Sequence, residues 1–285
     1  MGASIAGLKR TRSKVLYKDR LHYNRLMRLG SLLLVEERLL EAHYFIDQME
    51  AAGMGLEVGY NLNAFLSASR AVTFLLQKEM SRISGFAEWW TDRQCEMRSD
   101  PAMRFFVELR NFSQKAGRVR FESMGFGLQR STYRHAFRDG SIKVPEEVGR
   151  IDALDACRLH LAKIARLVIG CMDAFPYHTC PRKAVSLDGI AALGLETDEL
   201  DENLGYPRGY SRSLGEGEMQ SFFLARHFDE VDREAIEFLA SFSRKTPLPG
   251  HMSNDAANLR MAEIQKRLTE YWSQLGGKGS GGDDV

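Results

Sequence analysis

The 285 residues carry 44% hydrophobic and 27% charged side chains, enough apolar matter for one large domain or two modest ones with a buried core. Lysine and arginine number 39 against 38 acidic residues, a formal net charge of +1. That balance excludes a global field able to hold nucleic acid or an anionic membrane nonspecifically, so any such partner must be met by a local patch.

The first such patch is Lys9-Arg10-Thr11-Arg12-Ser13-Lys14, followed by Lys18, Arg20, Arg25 and Arg28. Residues 1–20 read as a basic arm, either simply solvated or in contact with nucleic acid. From about Asn24 to Ala51, Leu26, Leu29, Leu33, Leu40, Tyr44 and Met49 recur at near-helical spacing, with Glu36, Glu37, Arg38 and Glu41 on a polar side. Gly53-Met54-Gly55 ends that helix. A second helix is expected from Tyr60 to about Ile83, burying Leu62, Phe65, Leu66, Ser69, Val72, Thr73, Leu76 and Met80, and its small residues suit a central position.

A third helix is expected over Phe86–Met97. Asp100-Pro101 then caps and starts a fourth, which runs from Ala102 to about Lys115. Beyond Gly117, Arg118-Val119-Arg120-Phe121-Glu122 alternates as a strand does. Gly125 and Gly127 interrupt the next stretch, so a short hairpin or ordered loop is expected before Gly140. Pro145-Glu146-Glu147 opens a helix reaching about Ala174, with Val148, Ile151, Leu154, Leu161, Ile164, Val168 and Met172 on one side. Together these helices make a bundle over residues 21–175.

Residues 176–216, with Pro181, Pro207 and an acidic run from Glu196 to Glu202, read as an irregular connection. Over 217–275, helical pieces at Glu218–Arg226, Glu230–Arg244 and Asp255–Leu275 are expected to pack on the bundle. The Gly, Ser and Asp-rich tail 276–285 is expected to be disordered.

Cys95, Cys157, Cys171 and Cys180 are too sparse for a disulfide scaffold, and no apolar stretch reads as a signal peptide or membrane span, so a cytoplasmic setting without membrane contact is expected. Cys171, His178 and Cys180 lack paired metal-ligand spacing, and neither a metal nor a cofactor is expected. Phosphate loops, G-x-S-x-G and HExxH are absent from the sequence.

One stretch carries more. In Phe105-Phe106-Val107-Glu108-Leu109-Arg110-Asn111-Phe112-Ser113-Gln114-Lys115-Ala116-Gly117 an apolar helical run ends in Arg-Asn. An arginine, a polar residue, and a histidine five positions after the arginine form the active-site signature of HEPN-type helical domains. With Asn61–Glu79, Glu88-Trp89-Trp90 and Pro101–Asn111 in order, residues 20–175 resemble bacterial HEPN-like proteins. The resemblance implies a mainly α bundle, commonly a homodimer, whose arginine and histidine cleave RNA without metal, in toxin-antitoxin or phage-defence systems. Other members have lost catalysis and bind RNA or a protein partner.

Arg110 matches the motif arginine, Asn111 the polar residue and Gly117 the following glycine, but Lys115 stands where the family has histidine. Metal-free RNA cleavage needs a base for the 2′-OH proton and an acid for the leaving oxygen. A lysine of pKa about 10.4 is unprotonated only about once in a few thousand molecules at pH 7, so Lys115 suits holding a phosphate better than taking a proton. Arg70 and Gln77, on one side of the second helix, are candidates to line a cleft against Arg110, and His135 is the candidate substitute histidine. His22, His43, His160, His178, His227 and His251 each stand alone. The leading expectation is a HEPN-like binding protein with a degenerate ribonuclease motif. The alternatives are an active ribonuclease using Arg110 with Lys115 or His135, and a helical dimer or scaffold without a nucleic-acid role.

Overall fold

A computed structural model describes residues 32–117, 119, 121–125, 133–203, 206–215, 217–218 and 230–249, together with 262–264, 266–267 and 270. The basic arm, the start of the first helix before Leu32, the tail and most of the expected helices at Glu218–Arg226 and Asp255–Leu275 lie outside the described residues. Within them the chain is mainly helical, with one two-stranded sheet. They fall into two compact units: Met1–Leu34, Glu79–Phe86 and Gly170–Val231 bound the first, and Val35–Lys78, Ala87–Ile169 and Asp232–Val285 the second.

The second unit is built on α1 (Leu33–Ala52), α2 (Leu56–Met80), α3 (Phe86–Ser99) and α4 (Pro101–Lys115). On α2 the expected stripe Leu62, Phe65, Leu66, Ser69, Val72, Thr73, Leu76 and Met80 is buried throughout. On α1 the stripe is rotated from the expected one. Val35, Glu36, Leu39, Ala42, Ile46 and Met49 are buried and Tyr44 is exposed. Glu36, expected on the polar side, is tolerated inside because its carboxylate accepts the backbone N–H of Asp232 at 3.2 Å.

α4 begins where its sequence says it should. The Asp100 side chain accepts the Met103 N–H at 3.0 Å, and Pro101 takes the first turn, where a missing N–H costs nothing. Asp100 also pairs with Lys163. Burial pushes its carboxyl pKa up, but the Lys163 and Met103 hydrogen bonds outweigh burial and hold it below the usual carboxylate range. Replacing Asp100 with alanine is expected to lower stability by about 1–2 kcal/mol in a chemical denaturation series, the usual loss for a helix cap.

From α4, Phe105 and Phe106 enter an aromatic cluster. Phe137 lies edge-on to both at 5.3 and 5.9 Å, and Phe65 to Phe106 at 6.2 Å. Phe137 belongs to the expected hairpin, in which β1 (Phe121–Met124) pairs antiparallel with β2 (Arg134–Phe137) in the register Phe121↔Phe137 and Ser123↔His135. The hairpin is thus held to the motif helix by its apolar end.

The single helix expected from Pro145 to Ala174 is in fact two, α5 (Glu146–Gly149) and α6 (Ala153–Ala174). The break is made by a distant segment. Ile151 bridges Pro247, the Asp152 N–H donates to the Thr246 carbonyl at 2.7 Å, and the Leu248 N–H donates to the Arg150 carbonyl at 2.9 Å. The Asp152 carboxylate restarts the helix by accepting the Leu154 N–H at 2.9 Å, and its other oxygen accepts the His135 N–H at 3.0 Å. One turn on, the buried Asp155 accepts the Thr246 N–H at 2.8 Å and the Arg244 guanidinium at 3.0 Å. α11 (Arg233–Ala240) is capped by Asp232 and buries Ile236 and Leu239.

In the first unit, residues 176–216, read from sequence as an irregular connection, carry α7 (Pro176–Thr179), α8 (Pro181–Ala184), α9 (Leu187–Leu193), α10 (Thr197–Asn203) and a 3₁₀ turn at Ser211–Ser213. Each is too short for a periodicity signal, and local devices hold them. Ser186 caps α9 at Gly189, where a Cβ would meet the Lys183 carbonyl oxygen at 2.0 Å. Buried Asp201 accepts the Ser211 N–H and hydroxyl, and Asp198 pairs with Arg208 and Arg212. Phe86 and Phe175 pack at 5.9 Å.

Candidate functional site: a cationic cleft on the motif helix

The motif residues do not converge. Arg110 is half-buried on α4, with its Nη1 donating to Asn111 Oδ1 at 3.3 Å and its Nε enclosed without a partner. Asn111 and Lys115 are exposed, and Lys115 closes the helix without a hydrogen bond or ion pair among the described residues. At 3.6 residues per turn, five positions place Arg110 and Lys115 about 140° apart around the axis. Asn111 and Lys115, four apart, share a face.

His135 is committed to the hairpin. Its Nδ1 lies 2.9 Å from Ser123 Oγ, and its ring stacks on Phe121 at 5.2 Å. Burial, with some help from Arg134, lowers its pKa, so the ring is neutral and serves the cross-strand pair.

What α4 does border is a cleft of about 260 Å³. α2 contributes Arg70, Phe74 and Gln77, α3 contributes Gln94 and Arg98, and α4 contributes Arg104 and Glu108. Leu66, Met97, Met103 and Val107 supply apolar wall. Arg70 and Gln77 therefore line a cleft as their spacing suggests, but Arg104, not Arg110, faces them from the motif helix. Arg104 and Glu108 are four apart, on the same face as Asn111 and Lys115.

Arg70, Arg98 and Arg104 are exposed, and none pairs with a carboxylate among the described residues. Arg70 donates to Thr73 Oγ1 at 3.2 Å and Arg98 to Gln94 Oε1 at 3.5 Å. Other arginines of the unit do find acids, as Arg93 does Glu96 and Arg158 does Glu50, while Arg110 reaches Asn111 and Arg166 the Phe242 carbonyl. Three guanidiniums against the single lining carboxylate of Glu108 leave the cleft with a net positive charge, which raises the local potential for an anion, and their planar forks match phosphate oxygens. Phe74, 65% exposed, sets an aromatic face at the same rim.

At the inner end, His160 of α6 stacks on Phe106 at 4.2 Å and 15°. It is only 5% exposed, and its Nδ1 has no hydrogen-bond partner. Burial, with the nearby Lys163 cation, drives its pKa down to about 3, against the opposing pull of Asp100, so the ring is neutral at physiological pH. The Phe106–His160 pair also walls a second cavity of about 290 Å³, bordered by Glu147, Lys163 and Phe242. Arg98, Arg104, Phe74 and His160 carried no signal in the sequence, because the cleft joins four helices and no short motif spans them.

Among the described residues no cluster of three or more His, Cys, Asp or Glu side chains could hold a metal ion. Burial pushes the Cys171 thiol up to about 12, which leaves it protonated. No helix among the described residues is long and apolar enough to cross a membrane.

The family model for bacteriophage lambda protein ea47 matches residues 30–130, the stretch that supplies α1 to α4 and so most of the cleft. Protein ea47 of Escherichia phage lambda is 34% identical over 74 residues, 26% of this chain. The chain spans only 18% of that relative's length. No solved structure matches.

Proposed function

We propose that this HEPN-like helical protein binds single-stranded RNA through the cleft on α4. The observation that carries this reading is the meeting of Arg70, Arg98 and Arg104, none with a carboxylate partner among the described residues, at the mouth of a cleft with apolar walls. Cations that track a backbone, beside an aromatic face such as Phe74, are what proteins use to hold single strands, where bases are free to leave the stack. Lys115, at the helix end on the same face as Arg104 by periodicity, extends the cationic track rather than supplying a base. A net charge of +1 makes such a local patch the required source of affinity.

Incubated with single-stranded RNA in EDTA at low salt, the protein is expected to bind it and leave it intact, as read by fluorescence anisotropy and by gel. Cleavage that is lost in Arg110→Ala would replace this reading with that of an active ribonuclease. Absence of binding at low salt, with a protein partner recovered instead, would replace it with that of a protein-binding module.

A further inference from the structure

Resting on the RNA-binding reading, we infer that the cleft is a reading site for one unstacked nucleobase, with His160 hydrogen-bonding its edge and the arginines at the rim holding the adjoining phosphate. Three independent features meet here. The first is size: at about 260 Å³ the cleft falls just below the range of drug-sized ligand sites and suits a smaller flat group. The second is wall chemistry. Leu66, Met103 and Val107 offer apolar surface, and Phe74 offers a π-face at the entrance.

The third is the imidazole itself. A side chain 95% removed from solvent with an unpartnered ring nitrogen is a polar group whose desolvation has been met without return. Its neighbours explain its depth, through the Phe106 stack and the edge contact of Phe65 at 6.3 Å, but not its hydrogen-bonding capacity. The donor and acceptor nitrogens of a neutral imidazole point to different sides of the ring, so a base edge meets one of them with a single hydrogen bond. Because the ring does not titrate near pH 7, the interaction keeps its hydrogen-bond pattern across the physiological range.

The test measures the intact protein by calorimetry against nucleoside monophosphates and against ribose 5-phosphate, which keeps the phosphate and lacks the base. At least one monophosphate is expected to bind about tenfold or more tightly than ribose 5-phosphate, and His160→Phe is expected to bring that ratio near one, the loss typical of one buried hydrogen bond. Since the variant alters a packed ring, a second measurement uses the wild type alone. The His160 ring signals in a ¹⁵N-histidine spectrum are expected to shift with the monophosphate and stay still with ribose 5-phosphate. Equal affinity for the two probes, or unmoved His160 signals, overturns the base-reading site while leaving RNA binding by the rim intact. Discrimination between the probes without any affinity for RNA oligonucleotides keeps the base site and overturns the RNA reading.

Discussion

Alanine at Arg70, Arg98 and Arg104 together is expected to remove most of the affinity for single-stranded RNA and to flatten its salt dependence. Each phosphate neutralised on a single strand contributes about 0.7 to the slope of log affinity against log salt, so losing three contacts should reduce that slope by about 2. The fold should tolerate the change, because all three side chains are exposed and none completes an ion pair among the described residues. Arg110→Ala makes a sharp comparison. Its guanidinium reaches only Asn111 and does not line the cleft, so its effect on binding should be small beside that of Arg104→Ala. The measurement is an anisotropy titration at several salt concentrations, and an unchanged slope in the triple variant would remove the cleft from the binding surface.

Stability should fall as the pH is lowered from about 6.5 toward 3, with the fall beginning above the range in which carboxylates titrate. The sign is set by His160. Its pKa in the folded protein, about 3, is below the ordinary value of 6.5, so the unfolded chain binds a proton that the folded one refuses. The contribution is complete above pH 6.5 and is lost progressively as the pH falls toward 3. Between pH 7 and pH 4 one such group costs on the order of 3 kcal/mol. His135, whose pKa burial also lowers, acts in the same direction. Asp100 and Asp155 are held below the usual carboxylate range, so their stabilisation begins to be lost as the pH falls past about 3.8 and adds to the histidine effect at the acid end of the window. Denaturant midpoints measured across this window should fall more gently in His160→Phe than in the wild type. Parallel pH profiles would show that the imidazole is not buried in the neutral form.

Much of the helical layout was legible from local chemistry. Asp100-Pro101 names the start of α4 because cap and first-turn residues act on their own backbone, and the α2 stripe is visible because burial repeats along one element. Three things were not legible for one shared reason. The burial of Glu36 on α1 depends on Asp232 meeting it. The break before α6 depends on Thr246 and Leu248. The cleft depends on Arg98 and His160 arriving beside Arg70 and Arg104 from other helices. Each is a long-range event, and periodicity within a segment does not encode it. Arg110 drew notice because its motif is contiguous, whereas the residues that share a cavity are scattered over nearly a hundred positions of sequence.

The junction at Asp152 bears on the order in which the protein comes into being. The carboxylate of Asp152 can engage the hairpin and the first turn of α6 as soon as those segments exist, but the Asp152 amide and the Asp155 carboxylate wait for Thr246, and the Arg150 carbonyl waits for Leu248. In a nascent chain Asp155 already has Arg158 within 3.6 Å on its own helix, but its hydrogen bonds from Arg244 and Thr246 wait for roughly another ninety residues. The helix that presents His160 therefore acquires the full anchorage of its first turn only when synthesis has passed Thr246 and Leu248, well after every residue that lines the cleft has been made.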